Sequence, residues 1–175
     1  MAIGLAFLFI EIAFIQKFIL FLSHPLYAVT VVLSAFLIFA GLGSAWCNRF
    51  RDRSDRGRAL ARATGLLALL GLLYATGLGG LLEKCLMLPD VGRIVISILL
   101  IAPLAFLMGM PFPLAVLELG RSNPGLIPWA WGINGCASVL SAVLATLLAI
   151  QWGFSVLVVL ALFLYGVAAL SFPKD

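Results

Sequence analysis

Long apolar runs separated by short polar connectors follow one another from the second residue of the chain onward. The hydrocarbon core of a bilayer is about 30 Å thick, and a helix needs about 20 residues to cross it. The pattern therefore predicts an all-α, polytopic integral membrane bundle of six transmembrane helices in a single domain, residues 1–175. The predicted helices lie at about 2–22, 26–46, 63–82, 94–110, 129–150 and 154–172.

Proline and glycine indicate where these helices bend or end. Proline lacks a backbone N–H donor and disfavours a straight helix, both at its own position and at the residue before it. We therefore expect a kink near Pro103 and a break at Pro111, followed by a short interfacial stretch over residues 114–119. Residues 151–153, Gln-Trp-Gly, are predicted to form a tight turn between the fifth and sixth helices.

The connector between the second and third predicted helices, residues 47–62, holds six of the eleven basic residues of the chain. Arginines in short loops beside membrane-spanning segments resist translocation, so the connector richest in Lys and Arg stays in the cytoplasm. The predicted location is the inner (plasma) membrane, with this basic loop and both termini on the cytoplasmic side. The arginines that set this orientation are Arg49, Arg51, Arg53, Arg56, Arg58 and Arg62.

Composition agrees with the bilayer as the solvent of most of the chain. Hydrophobic residues make up 64% and charged residues 10%, against roughly 45–50% and 25% in soluble domains. The positive charge is concentrated in the basic connector, so we do not predict nucleic-acid binding. Cys47, Cys85 and Cys136 are too few and too far apart for a zinc site. The sequence predicts neither a metal site nor a cofactor.

Glu11 lies close to the midpoint of the first predicted helix. A carboxylate at that depth is costly, so it must face protein, water or a partner, or carry a proton. Two interpretations remain open: a proton or cation site, or a hydrogen-bonded carboxyl group that joins two helices. Gln16 on the same helix is a further candidate for a polar site. Asn134, Ser138 and Ser141 share one face of the fifth helix, which we expect to face the bundle interior and Glu11.

The second predicted helix carries a stripe of small and hydroxyl residues within about 80° around its axis, at 100° per residue. Such a stripe allows close helix contact in lipid, where burial of apolar surface does not drive association. The same stripe could instead line a polar cavity. Its members are Thr30, Ser34, Gly41 and Ser44.

Five strings in the sequence carry a resemblance to a known family. They are residues 11–18 (EIAFIQKF), 21–25 (FLSHP), 41–44 (GLGS), 109–113 (GMPFP) and 128–145, of which the last is the most specific. Together they resemble the membrane region of bacterial proteins that fuse a major-facilitator-like membrane part to a spermidine-synthase-like domain. The resemblance covers the whole chain and implies a bundle similar to half of a major-facilitator-type arrangement.

Two functions follow from this resemblance. The first is a multi-pass membrane module without its own catalytic site, which anchors or regulates a cytosolic aminopropyltransferase-like or methyltransferase-like domain. In the family that domain is Rossmann-type and binds an adenosylmethionine-type cofactor, but this chain has no βαβ pattern, so no catalytic residue is carried over. The alternative is a transporter-like six-helix unit that moves a small cationic solute such as a polyamine, with Glu11 as the intramembrane charge.

The remaining expectations concern catalysis and assembly. We do not predict an enzyme, because the chain has no paired carboxylates and no cluster of His and Cys residues that could serve acid–base or nucleophilic catalysis. The expected partners are the lipid bilayer, a cytosolic spermidine-synthase-like domain or subunit, and a second copy of the chain in a homo-oligomer. The chain is expected to be a membrane module separated from its enzyme domain.

Overall fold

The computed structural model describes residues 1–50 and 52–171, and these residues form helices and connectors without a strand. Short 3-10 helices, Cys47–Arg49 and Pro124–Leu126, join α2 to α3 and α5 to α6. The α-helices are α1, Ala2–Leu22; α2, Pro25–Trp46; α3, Arg53–Lys84; α4, Asp90–Met108; α5, Pro111–Ser122; and α6, Ile127–Leu170.

Within the described part of the chain, five helical stretches are long and apolar enough to cross a membrane, so the chain is a helical membrane protein. The sequence predicted six. The count differs because the helices expected at 129–150 and 154–172 run on as one helical stretch of 47 residues, with residue 172 outside the described part of the chain. The five stretches are Ala2–Leu22, Pro25–Arg49, Arg53–Lys84, Asp90–Ser122 and Pro124–Leu170.

A single residue, Gly153, interrupts α6. Its backbone has φ 79° and ψ 179°, a combination that is essentially limited to glycine because a Cβ atom would clash with the backbone. Gly153 divides α6 into a first arm, residues 127–152, and a second arm, residues 154–170. The tight turn expected at residues 151–153 therefore falls where the backbone leaves the helical conformation.

The first arm of α6 runs alongside α1 in the same direction. Near the start of α1, the hydroxyl of Ser141 donates a hydrogen bond of 2.8 Å to the carbonyl of Leu5. Further along both helices, the ring of Phe154 lies 5.5 Å from the ring of Phe14. Residue numbers therefore rise together in α1 and in the first arm, which makes the two parallel.

The second arm of α6 runs back along α3. The hydroxyl of Ser155 donates a hydrogen bond of 2.7 Å to the carbonyl of Ala75. A Cβ atom at Gly71 would lie 2.7 Å from a methyl group of Leu162, so these two backbones approach closely. Further along, Gly166, Ala169 and Leu170 line a hollow beside the first turns of α3. Residue numbers rise in α6 while they fall in α3, so the second arm is antiparallel to α3.

Both ends of α6 lie at the same end of the bundle, which we call the arginine end because the start of α3, with Arg53 and Arg56, lies there. Glu118 of α5 bonds Arg56, and the chain reaches Ile127 soon afterwards. Leu170, at the other end of α6, lines a hollow together with Arg53. Since both ends meet here, α6 doubles back on itself at Gly153.

Helix α1 is the centre of the bundle and packs against α2, α4 and α6. The side chain of Phe14 is fully buried. Its ring lies 5.6 Å from Phe36 of α2, 5.8 Å from Tyr74 of α3 and 5.5 Å from Phe154. Each aromatic pair of this kind contributes about 0.5–1.5 kcal/mol beyond the burial of its area. This cluster joins α1 to three neighbouring segments around the turn at Gly153.

Helices α2 and α4 cross with their backbones in direct contact. A Cβ atom at Gly43 would collide with the carbonyl of Phe106, and a Cβ atom at Gly109 would collide with the carbonyl of Ala40. The packing face of α2 also buries bulky side chains such as Phe36. The small-residue stripe therefore does not form this crossing, and two of its members, Gly41 and Ser44, line a cleft instead. The stripe lies elsewhere on α2, with Thr30, Ser34 and Gly41 exposed and Ser44 half-buried.

The basic connector is mostly helical. The sequence predicted a loop over residues 47–62 and a helix from 63, whereas α3 already begins at Arg53. Arginine and alanine are good helix formers, which extends the helix into the connector. Asp55 in the first turn suits the positive end of the helix dipole and pairs with Arg58 at 2.8 Å. Arg51 lies outside the described residues.

Helix α4 ends close to the predicted break. It remains helical through Pro103 and stops at Met108, and α5 begins at Pro111. The stretch expected to be short and interfacial, residues 114–119, is the middle of α5. Helix α5 packs against α3, which brings its carboxyl-terminal half to the arginine end.

Candidate functional site

A cleft of about 550 Å³ lies between α1, α2, the α4–α5 junction and the first arm of α6. Residues 4, 7, 8 and 11 share one face of α1, because they are spaced by three or four positions. This face forms one wall of the cleft, and Glu11, Asn134 and Ser138 all line it. The structure therefore brings three of the five predicted polar residues to one place.

Glu11 is 5% exposed, and its Oε1 atom has no hydrogen-bond partner among the described residues. A buried polar atom without a partner costs about 1–3 kcal/mol. A carboxyl group that served only to join two helices would be bonded to a donor on the second helix. The geometry instead leaves an acceptor oxygen of Glu11 free at the wall of the cleft.

Asn134 and Ser138 lie beside Gly4 and not beside Glu11. A Cβ atom at Gly4 would be 2.8 Å from Oδ1 of Asn134 and 3.0 Å from Oγ of Ser138. Gly4 precedes Glu11 by two helical turns, about 10 Å at 1.5 Å per residue. The direct pairing of Glu11 with the fifth predicted helix is therefore not formed. Oδ1 of Asn134 is itself buried without a partner among the described residues.

The other two predicted polar residues lie outside the cleft. Ser141 is fully buried, and its hydrogen bond to the carbonyl of Leu5 fixes the first arm of α6 against α1. Gln16 follows Glu11 by five positions and so lies about 140° further around α1. It is half-buried and does not line the cleft. The bond of Ser141 therefore serves packing between helices.

A buried ion pair joins α3 to α5 at the arginine end. Arg56 is 2% exposed, and its Nη2 and Nε atoms donate to Oε2 of Glu118 at 2.8 and 3.2 Å. Nε of Arg53 lies 3.1 Å from Oε1 of the same carboxylate. Glu118 thus receives donors on both oxygens, which suits a buried charge. Because Phe112 at the start of α5 lines the cleft, the pair also fixes one wall of the cleft.

The sequence does not predict this ion pair. Arg56 is predicted to set membrane topology alone, and Glu118 belongs to no predicted site. The two residues are 62 positions apart, so no local spacing connects them. One signal was available, because Glu118 and the basic connector are both predicted on the cytoplasmic side. Opposite charges attract each other more strongly beside a low-dielectric region than in water.

Arg49, Arg58 and Arg62 of the basic connector lie on the surface of the arginine end. The guanidinium of Arg49 stacks on the ring of Trp46, 3.8 Å from its centroid. Arg58 pairs with Asp55, and Arg62 is exposed. Exposed pairs of this kind contribute about 0–1 kcal/mol each. The surface arginines therefore add little to stability, and their main physical effect is a concentration of positive charge.

Comparison of the chain with protein-family models, with curated proteins and with solved structures finds no match. The resemblance to the membrane region of spermidine-synthase-like fusion proteins therefore stays a prediction.

Proposed function

We propose that this protein is a transporter-like membrane unit that binds a small cationic solute in the cleft and moves it, with Glu11 as the intramembrane charge. The observation that carries the proposal is the side chain of Glu11, which lines a cleft of about 550 Å³ and whose buried Oε1 atom has no hydrogen-bond partner among the described residues. Ionisable side chains within membrane segments face cavities or partners and mark solute and proton pathways. A carboxylate with a free acceptor in apolar surroundings attracts a cation.

The proposal includes six membrane crossings in the inner (plasma) membrane, with both termini in the cytoplasm. It is supported by the turn at Gly153, by the antiparallel course of the two arms of α6 and by the position of Leu170 beside Arg53. The arginines of the connector orient the arginine end toward the cytoplasm. Such a bundle corresponds to half of a major-facilitator-type arrangement, and a second copy of the chain would complete it.

Cysteine labelling tests the crossings and their orientation. In a cysteine-free background, we expect Arg58→Cys and Ser171→Cys to react only from the cytoplasmic side. Met87 lies in the α3–α4 connector and is 98% exposed, so Met87→Cys should react from the outside. Labelling of Ser171→Cys and Met87→Cys from the same side would mean that the last helical stretch crosses only once.

Uptake into proteoliposomes tests the role of Glu11. We expect the reconstituted protein to accumulate an organic ammonium ion and Glu11→Gln to lose at least nine-tenths of the initial rate, because the amide cannot balance the positive charge. Glu83→Gln is the matched control, since Glu83 is an exposed carboxylate at the other end of the bundle. Equal rates for Glu11→Gln and Glu83→Gln would contradict the proposal.

A second candidate is the module that anchors a cytosolic aminopropyltransferase-like or methyltransferase-like domain. It is favoured by the ion pair of Arg56 and Glu118, which holds the start of α3 and the end of α5 together as a braced surface at the arginine end. In this case the isolated protein would show no uptake. It would bind such a domain in detergent, and reversing the exposed charges with Arg58→Glu and Arg62→Glu would weaken that binding.

A further inference from the structure

The described wall of the cleft holds one ionisable side chain, Glu11. The other lining groups are apolar or are neutral polar side chains such as Ser44, Asn134 and Ser138. A ligand with two ammonium groups would leave the second one without a carboxylate in these surroundings. An unpaired charge removed from water is disfavoured by several kcal/mol. The charge of the wall therefore matches a ligand with one positive charge.

The end of the cleft opposite Glu11 is aromatic. The rings of Phe112 and Trp131 meet edge to face with 4.8 Å between their centroids, and both line the cleft. Trp131 precedes Asn134 by about one turn, and Asn134 lies beside Gly4, two turns from Glu11. At 1.5 Å per residue, Trp131 and Glu11 are about 15 Å apart along the helix axes. A ligand that uses both ends is therefore elongated.

The α2 side of the cleft is lined by leucines. Leu33 and Leu37 are 39% and 61% exposed and carry no polar atom on their side chains. An apolar ligand body loses no hydrogen bonds to water against such surface, whereas a polar or charged chain would lose them without replacement. A small hydrated ion gains nothing from this surface. The leucines therefore favour a ligand whose chain is apolar between its ends.

We infer that the ligand is an elongated amphipathic monoamine, with its ammonium group at the carboxyl group of Glu11 and its apolar chain along Leu37 toward Phe112 and Trp131. This inference rests on the proposed function of the cleft as a cation site and adds the class of its ligand. It distinguishes a monoamine from a polyamine, because the wall provides a single carboxylate. It also distinguishes a monoamine from a neutral lipid-like chain, which would leave Glu11 unpaired.

Calorimetric titration of the full-length protein in nanodiscs tests the inference with three probes of the same chain length: octylamine, 1,8-diaminooctane and 1-octanol. The specific signal is the difference between the wild type and Glu11→Gln, since partition into lipid is common to both. We expect octylamine to bind at least tenfold more tightly than the diamine, and octanol to give no difference signal. Trp131→Ala should weaken octylamine binding at least threefold, with Trp152→Ala, outside the cleft, as the control.

The outcomes separate the two levels of the proposal. If the diamine binds as tightly as octylamine and both depend on Glu11, the monoamine inference is overturned while the cation site stands. If Trp131→Ala has no more effect than Trp152→Ala, the placement of the apolar chain is wrong. If octylamine binds the wild type and Glu11→Gln equally, the cation site itself fails, and the proposed function fails with it.

Discussion

Loss of the charge on Glu118 should destabilise the protein more than loss of any surface charge. In Glu118→Gln the amide keeps the shape of the side chain and one acceptor oxygen, but Arg56, at 2% exposure, loses its ion pair with Glu118. Breaking a buried ion pair from one side costs about 3–5 kcal/mol. Because one acceptor remains, we expect the free energy of unfolding to fall by about 3 kcal/mol.

Two variants set the scale of this effect. The side chain of Arg53 is 47% exposed and is the outer partner of Glu118. Its replacement in Arg53→Gln should therefore lower the free energy of unfolding by at most about 1 kcal/mol. The double variant Arg56→Met, Glu118→Met removes both buried charges and fills their volume. We expect it to recover most of the loss, because apolar replacement of a buried pair is often neutral or stabilising.

Equilibrium unfolding in mixed micelles with increasing denaturing detergent, followed by circular dichroism, measures these differences. The expected order of stability is wild type, then Arg53→Gln, then Glu118→Gln, with the double variant above Glu118→Gln. Equal stabilities of Glu118→Gln and Arg53→Gln would refute the reasoning, because Arg56 would then not depend on the charge of Glu118.

Two further predictions concern backbone positions that depend on glycine, and both use the same unfolding assay. Gly153→Ala should cost about 1–3 kcal/mol, because alanine is strained at φ 79° and ψ 179°, whereas Gly166→Ala, in open space on the same helix, should be neutral or stabilising. Gly43→Ala should disrupt the crossing of α2 and α4 at Phe106, and Gly41→Ala, which faces open space two residues away, should not. A loss at Gly41→Ala equal to that at Gly43→Ala would show that the crossing lies elsewhere on α2.

Features that depend on local sequence were predictable. The apolar run from Ala2 fixed the bounds of α1, and the glycine at position 153 marked the reversal of the chain. The spacing of Glu11, Asn134 and Ser138 indicated inward faces on two helices that the fold then brings to one cleft. In each case the prediction depends on the type of a residue or on the helical spacing of several, and both act within a few turns of the chain.

Features that depend on contacts between distant helices were not predictable. The stripe on α2 lies away from the crossing with α4. The crossing forms where Gly43 lets the backbone of α2 approach the carbonyl of Phe106 on α4. Glu118 lies opposite Arg56 because α5 packs along the start of α3, and neither helix carries a pattern that specifies this neighbour. The extension of α3 to Arg53 was missed because a cluster of charges was interpreted as a loop, although arginine is a good helix former.

Labelling of the intramembrane carboxyl group tests the central claim most directly. A hydrophobic carbodiimide reacts with carboxyl groups in apolar, accessible sites, and mass spectrometry of the labelled protein identifies the residue. If the cleft is a cation site, Glu11 is modified, Glu118 in its ion pair is not, and octylamine slows the modification of Glu11 at least fivefold while octanol does not. A Glu11 that stays unmodified, or one that is modified at the same rate with and without octylamine, would contradict the account.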